Sequence, residues 1–391
     1  MKILFCNFEY PPLGGGGGVV NASLAQELAK RHEVTVLTSR GPGLPSERIE
    51  GGVRVVRVPV FFRNEQTVAS YLSMLTYLPV GFRVGKKLLM SDRFDVINTH
   101  FVLPTGPVGD ALARFAKIPN VLSVHGGDLY DPSKFASPHR HPLLRIWIRR
   151  LLRRADGVVG QSWNTLGNMR RYYTPELEGI RIPLGIPRPK MESASRREYG
   201  FGNEEALLVT VGRLVVRKAV DQLLSMMEAL RNEPVRLLII GTGPLEAQLK
   251  DQVSRKGLSE KVAFLGQVGE QEKFRILQMC DLYVSTSQHE GFGLVFVEAM
   301  ASGLPVVCYD HGGQTDFLKD EVNGFLVPLN DRDRFLDRCR LLIRDSGRRQ
   351  EMARINQKAV EDFYIDRCAA QYEQVFAKVC QKRTGTRPAT K

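Results

Sequence analysis

Short apolar runs bounded by polar or glycine-rich turns recur along this chain, and stretches with apolar residues at helical spacing lie between them. Residues 2–7 (Lys-Ile-Leu-Phe-Cys-Asn) read as a buried strand. The glycine run Gly14 to Gly18 follows, and then Leu24, Leu28 and Ala29 share one helical face. Residues 34–37, 54–59, 95–98 and 120–124 read as further strands. From 181 to 201 prolines and charges replace the periodicity, which predicts a linker. Alternation restarts with strands at 207–211, 236–240, 262–265, 282–285 and 305–307, and a helix that includes 221–230. Strands alternating with helices imply parallel sheets covered on both faces.

The expected fold class is therefore α/β. Two doubly wound, Rossmann-like domains should face each other across a cleft, with ligands at the carboxyl ends of the strands. The expected boundaries are 1–185 and 186–362. A C-terminal helix at about 363–380, carrying Tyr372, Val375, Phe376 and Val379, should return to the first domain. The basic stretch 381–391 should be disordered.

Composition narrows the setting. A chain of 391 residues, 43% apolar and 25% charged, is globular, which excludes a largely disordered, collagenous or coiled-coil protein. The net charge of +13 favours an anionic partner. Residues 1–180 hold 23 Lys and Arg against 14 Asp and Glu, so the excess lies mainly in the first half. The six cysteines form no C-x-x-C pair and fit no zinc site. No apolar run is long enough to span a bilayer, and the N-terminus lacks a signal-peptide pattern. These readings place the protein in the cytoplasm, with the cytoplasmic face of a membrane as a further surface.

That surface has a candidate contact at 142–154. Leu144, Trp147, Ile148, Leu151 and Leu152 share a helical face there, interleaved with Arg145, Arg149, Arg150, Arg153 and Arg154. The arginines fit either an anionic bilayer or acceptor, or a docked helix with a solvated basic face. No RRM, KH or zinc-finger pattern accompanies the charge, so nucleic acid is not an expected partner.

Three segments carry chemistry. The glycine run, Gly15 and Gly16 included, lets backbone N–H groups crowd against an anion at a helix N-terminus. Gly212-Arg213-Leu-Val-Val-Arg217-Lys218 leaves a strand with cations suited to a diphosphate. In the third, Glu290 sits in the loop Gly291-Phe292-Gly293-Leu294, and Glu298 follows two turns into a helix among apolar residues. A carboxylate placed like Glu298 needs a hydroxyl or a cation. Asp331 and Asp333 read as a helix N-cap and His139 and His141 as a loop, so no metal site is expected.

The stretch from Glu290 to Val307 resembles the signature of the retaining glycosyltransferases of family 4, which have the GT-B fold. That signature is a glutamate, seven residues, a second glutamate, and Ala-Met-Ala-x-Gly-x-Pro-Val-Val. The likeness covers nearly the whole chain: Tyr10-Pro11-Pro12 with the glycine run, His125-Gly126-Gly127-Asp128, Gly212-Arg213-Leu214 with Lys218, Gly241-Thr242-Gly243-Pro244, Gly312-Gly313 and Asn323-Gly324-Phe325 fall in the family's order.

The resemblance implies transfer of a hexose or N-acetylhexosamine from a UDP- or GDP-sugar, with retained configuration. The acceptor would be a hydroxyl of a glycolipid or saccharide in cell-envelope polysaccharide or glycolipid synthesis. It implies catalytic roles for His125, Arg213, Lys218 and Glu290. Donor binding falls to Gly15, Gly16, Gly212, Gly243, Gly291, Phe292, Gly293, Leu294 and Glu298. No cofactor or metal is implied. Lys218-Ala219 departs from the family's usual Lys-Gly, and Asp316 stands near where a glutamate often follows the glycine pair. Two alternatives accompany this reading: a nucleotide-sugar epimerase of similar fold and a non-catalytic nucleotide-sugar-binding protein.

Overall fold

The computed structural model describes residues 1–63, 69–190, 192, 194–202 and 204–384. It divides into two compact units, one formed by 1–187 with 364–391 and the other by 188–363.

The first unit is built on an eight-stranded sheet: β1 Lys2–Cys6, β2 Glu33–Arg40, β3 Glu47–Glu50, β4 Val53–Pro59, β5 Val96–His100, β6 Asn120–Val124, β7 Gly157–Gly160 and β8 Ile180–Arg181. Its order is β3-β4-β2-β1-β5-β6-β7-β8. All neighbours are parallel except β3, which pairs antiparallel with β4. That hairpin closes through Gly51 and Gly52, both at positive φ, a turn that suits the twist of paired strands.

The helix Ile365–Thr384 covers one face of this sheet. Ile365, Cys368, Ala369, Tyr372, Val375, Phe376 and Val379 recur every three or four residues. They pack with Ile3, Phe5, Val96 and Val121 in one core. The boundary differs from the sequence expectation because Ile186 belongs to the first unit. Its carbonyl accepts from the Ile365 N–H at 2.8 Å, and the two chain segments bridge there. The expected tail also begins later. Residues 381–384 continue the helix, where the basic Lys382 and Arg383 favour a helix C-terminus. The rest of that stretch, 385–391, lies outside the described residues.

The second unit holds six parallel strands: β9 Ala206–Val211, β10 Val235–Ile240, β11 Val262–Gly266, β12 Leu282–Ser285, β13 Val306–Tyr309 and β14 Gly324–Val327. Their order is β11-β10-β9-β12-β13-β14, which is the doubly wound order of a Rossmann sheet. The strands read as continuous apolar runs because helices cover both faces. The order reverses between β9 and β12. The loops leaving those two strands diverge from the sheet at that point, and the chemistry-bearing loops are the ones found there.

Candidate active site

In the second unit, the loop after β9 and the loop after β12 are tied together by backbone. The Gln288 N–H donates to the Arg217 carbonyl at 2.8 Å, and the Thr286 hydroxyl donates to the Ala219 carbonyl at 2.8 Å. These bonds bring Lys218 and Glu290 into contact. Lys218 Nζ lies 2.6 Å from Glu290 Oε1, and Arg217 Nη1 lies 3.0 Å from Oε2. Burial alone would raise the Glu290 carboxyl, but the Lys218 and Arg217 charges outweigh it and hold it down at about 2. Glu290 is therefore ionised at any ordinary pH. Arg213, by contrast, is exposed, and its guanidinium has no carboxylate partner among the described residues. It is available to an external anion.

The backbone around Glu290 is equally constrained. Glu290 bridges to Gly312, and the Gly313 N–H donates to the Glu290 carbonyl at 2.8 Å. A side chain on Gly313 would collide with the Gly291 carbonyl, so close approach of two backbones explains this glycine. Gly243 has a similar reason. A Cβ there would run into the backbone of Leu214, so its glycine is set by loop packing, whatever ligand it meets. Phe292 faces the core. Its ring is buried against Phe317 and Phe363, at 5.1 and 6.2 Å between centroids, so only its backbone is left for a donor.

Ala219 occupies the place where the resemblance leads one to expect glycine. It adopts the left-handed conformation, with φ 46 and ψ 42. The loop thus keeps the glycine-like shape with an alanine in it, at a steric cost of about 1 kcal/mol. Ala219→Gly is expected to raise the unfolding free energy by about that amount. Denaturant unfolding measures it, and an unchanged or lower midpoint would show that the loop carries no strain there.

Glu298 lies in the helix Leu294–Ala301, which begins at Gly293 in the left-handed region. Its Oε1 accepts from Lys273 at 2.9 Å, and Lys273 also reaches Glu270 at 2.9 Å. Burial raises the Glu298 carboxyl above its usual range while Lys273 pulls it back. Burial acts to lower Lys273, but Glu298 and Glu270 outweigh that and raise it. Glu298 Oε2 is buried with no hydrogen-bond partner among the described residues. A buried carboxylate oxygen without a donor is costly, and a ligand hydroxyl would satisfy it.

In the first unit the loops after β1, β5 and β6 lie about its own topological reversal, between β1 and β5. Gly15 and Gly16 start the helix Gly16–Ala29, and a side chain at either would meet open space. The Gly15 N–H lies 3.4 Å from Glu9 Oε2. His125 follows β6. Its Nε2 lies 3.0 Å from His100 Nδ1, and the Phe101 ring stacks on it at 4.2 Å. Asp128 accepts from the backbone N–H groups of His125 and Val102 at 2.9 and 2.7 Å, which fixes the loop. Burial pushes the His125 imidazole down to about 4 and His100 well below the ordinary range, so both are neutral near pH 7.

The basic helix Pro142–Arg154 is docked, and most of its arginines are engaged. Arg145 and Arg149 donate to the Tyr172 and Tyr173 carbonyls at 3.1 and 2.6 Å, Arg153 pairs with Glu176, and Arg154 with Asp110. This corrects the view of five arginines offered together to an outside anion; the structure leaves Arg150 exposed and without a described partner. Trp147 also departs from the expected buried face. It is 37% exposed beside Leu143 and Ile146, while Ile148, Leu151 and Leu152 are buried.

Among the described residues, no group of three or more His, Cys, Asp or Glu side chains is placed to hold a metal, and no helix is long and apolar enough to cross a membrane.

Residues 14–187 match the family described as Glycosyltransferase Family 4, and residues 191–359 match Glycosyl transferases group 1. An uncharacterized glycosyltransferase of Methanocaldococcus jannaschii is 30% identical over 340 residues, covering 84% of this chain and 85% of its own. The chain belongs to the family 4 glycosyltransferases. The N-acetyl-alpha-D-glucosaminyl L-malate synthase of Bacillus anthracis is 25% identical to this glycosyltransferase over 383 residues, 95% of each chain. Among solved structures, the sucrose-phosphate synthase of Thermosynechococcus elongatus superposes with a TM-score of 0.84 at 22% identity, covering 97% of this chain and 99% of the other. HepE of Anabaena, in complex with UDP and glucose, gives 0.75 at 21%, covering 97% and 100%. The fold is GT-B, and family membership sets this glycosyltransferase apart from nucleotide-sugar epimerases.

Arg217 is read from the sequence among the cations suited to a diphosphate, but its contact with Glu290 is not. Two partners of the candidate site residues are missed altogether. Lys273, 25 positions before Glu298, had no local signal. His100 was hidden in an apolar strand, although its i, i+2 spacing from Asn98 is the pattern of two side chains on one sheet face.

Proposed function

We propose that this glycosyltransferase moves a hexose or N-acetylhexosamine from a UDP- or GDP-sugar to a hydroxyl of a glycolipid or saccharide, with retention of anomeric configuration and without a metal. The observation that carries this reading is the concentration of charge after β9 and β12. Lys218 and Arg217 share Glu290, with exposed Arg213 on the same loop. We assign these cations to the diphosphate and Glu298 to the ribose hydroxyls. Glu290 and His125 are assigned to the donor sugar. The glycine loop at Gly15 and Gly16 is assigned to the diphosphate and acceptor side. The UDP and glucose held by HepE, a protein of the same fold, support a nucleotide-sugar donor.

In the proposed step the bond from the sugar's anomeric carbon to the diphosphate oxygen breaks. The nucleoside diphosphate leaves with the electron pair, and the acceptor oxygen bonds to the anomeric carbon from the same face. The acceptor proton passes to a leaving-phosphate oxygen. Preorganised cations stabilise the charge that develops on that phosphate. Glu290, held ionised between two cations, suits sugar-hydroxyl binding; it is not the protonated acid of a glycosidase pair. We place the acceptor in or beside an anionic membrane surface on the cytoplasmic side. Arg150 and the exposed Leu143, Ile146 and Trp147 support that placement.

Product stereochemistry tests the step. Proton NMR of the product should show the donor's anomeric configuration, formed equally well with excess chelator. An inverted product would overturn the mechanism, and chelator sensitivity would overturn metal independence.

A further inference from the structure

The His125 imidazole is the last member of a buried polar track on the sheet face covered by the C-terminal helix. Tyr372 on that helix donates its hydroxyl to Ser123 Oγ at 3.0 Å. The Ser123 hydroxyl donates to Asn98 Oδ1 at 3.2 Å, and Asn98 Nδ2 lies 2.8 Å from His100 Nε2. His100 Nδ1 then lies 3.0 Å from His125 Nε2. Asn98, His100, Ser123 and Tyr372 are at most 2% exposed. The register explains the alignment. Asn98 and His100 are two apart on β5, Ser123 and His125 are two apart through the end of β6, and His100 pairs with Ser123. An otherwise apolar core has thus accepted four linked polar groups.

A relay of this kind can be protonated in only two orders, and they are not equivalent. In the first, Tyr372 donates to Ser123 and Ser123 to the Asn98 oxygen. The Asn98 amide donates to His100 Nε2, and His100 Nδ1–H donates to His125 Nε2. Every hydroxyl hydrogen is then accepted. In the reverse order the Asn98 amide is turned, and one buried hydroxyl hydrogen, on Tyr372 or Ser123, has no acceptor among the described residues. Tyr372 is therefore the terminus that sets the direction. Burial drives its phenol pKa up, which keeps the proton on the oxygen. Gln161 lies beside His125 and keeps a buried Oε1 without a partner among the described residues, an acceptor that suits an N–H there.

We infer that Tyr372, Ser123, Asn98 and His100 act as positioning residues that lock His125 as a neutral imidazole protonated on Nδ1. That edge is then a hydrogen-bond donor only. Its value in catalysis rests on the proposed contact of His125 with the donor sugar; the tautomer itself does not.

The test uses the full-length protein labelled with ¹⁵N-histidine, since long-range ¹H–¹⁵N spectra distinguish the two ring nitrogens. In wild type, His100 and His125 should both carry hydrogen on Nδ1. Tyr372→Phe keeps the core shape and removes the terminus, so His125 should become a mixture of tautomers. Asn98→Asp replaces the amide with an acceptor at both ends, so it should turn the relay and move the His125 proton to Nε2. An Nε2–H His125 in wild type, or an unchanged tautomer in both variants, would overturn the inference. Sugar transfer by Asn98→Asp should fall about tenfold in kcat, the scale of one hydrogen bond, with nucleoside diphosphate affinity unchanged. Tautomers that behave as stated with kcat unmoved would leave the relay standing and overturn the role assigned to His125.

Discussion

Lys218→Met is expected to lower sugar transfer about a thousandfold and to weaken nucleoside diphosphate binding, while Glu290→Gln should lower transfer and tighten that binding several-fold. The opposite signs follow from the cluster. Lys218 and Arg217 both sit on the Glu290 carboxylate, at 2.6 and 3.0 Å. Removing Lys218 deletes one of the cations assigned to the leaving diphosphate. Removing the charge of Glu290 leaves the cations and takes away the anion that competes for them. If Glu290 holds the donor sugar as proposed, the same substitution replaces a charged acceptor with a weaker amide oxygen, so tighter product binding should accompany slower transfer. Titration calorimetry with the nucleoside diphosphate, beside initial rates, reads both effects. Two variants that weaken binding alike would mean the cluster is a structural ion pair and not a diphosphate site.

Glu298→Ala has two separable consequences. The first is stability. Lys273 and Glu298 form a nearly buried pair at 2.9 Å, and deleting one partner leaves the other charge poorly compensated, a loss of about 3 kcal/mol. Glu270 limits the damage because it also touches Lys273, although it stands largely in solvent. The second consequence is specificity. The uncommitted Oε2 is assigned to the ribose, so wild type should prefer a nucleoside diphosphate over its 2′,3′-dideoxy analogue by about tenfold or more. The Glu298→Gln variant, which keeps the packing, should lose most of that preference. A preference that survives in the variant would remove Glu298 from the ribose site, whatever happens to stability.

Much of this molecule is legible in its sequence, and the reasons differ from element to element. The central strands β1, β9, β10 and β12 are read correctly because burial on both faces makes them unbroken apolar runs. The C-terminal helix is read from Tyr372, Val375, Phe376 and Val379, whose spacing survives any choice of partner. Of the edge hairpin only β4 is read. β3 is Glu-Arg-Ile-Glu, largely exposed, and only the glycine pair at 51 and 52 marks its turn. β8 has two residues and no pattern to find.

The site divides in the same way. Glycines and charges in loops at strand ends announce Lys218 and Glu290, and Glu298 is announced as a carboxylate among the apolar residues of the following helix. Their partners are set by tertiary contact. Lys273 reaches Glu298 from another helix, and the relay from Tyr372 to His125 joins the C-terminal helix to β5 and β6, its Tyr372–Ser123 bond crossing 249 positions of sequence. The basic helix stays open in sequence between a bilayer or acceptor surface and a docked helix, because the sequence does not show what its arginines meet; backbone carbonyls and carboxylates of neighbouring segments take up four of the five.

The central claim is that the loops after β9 and β12 carry transfer from a nucleotide sugar. Nucleoside diphosphate release by the purified protein, measured across UDP-, GDP- and ADP-sugars with and without a lipid extract, tests it most directly. The account predicts release from a UDP- or GDP-sugar that is lost in Lys218→Met. Release that persists undiminished in that variant, or no release and no binding of any nucleoside diphosphate by the wild-type protein, would contradict it.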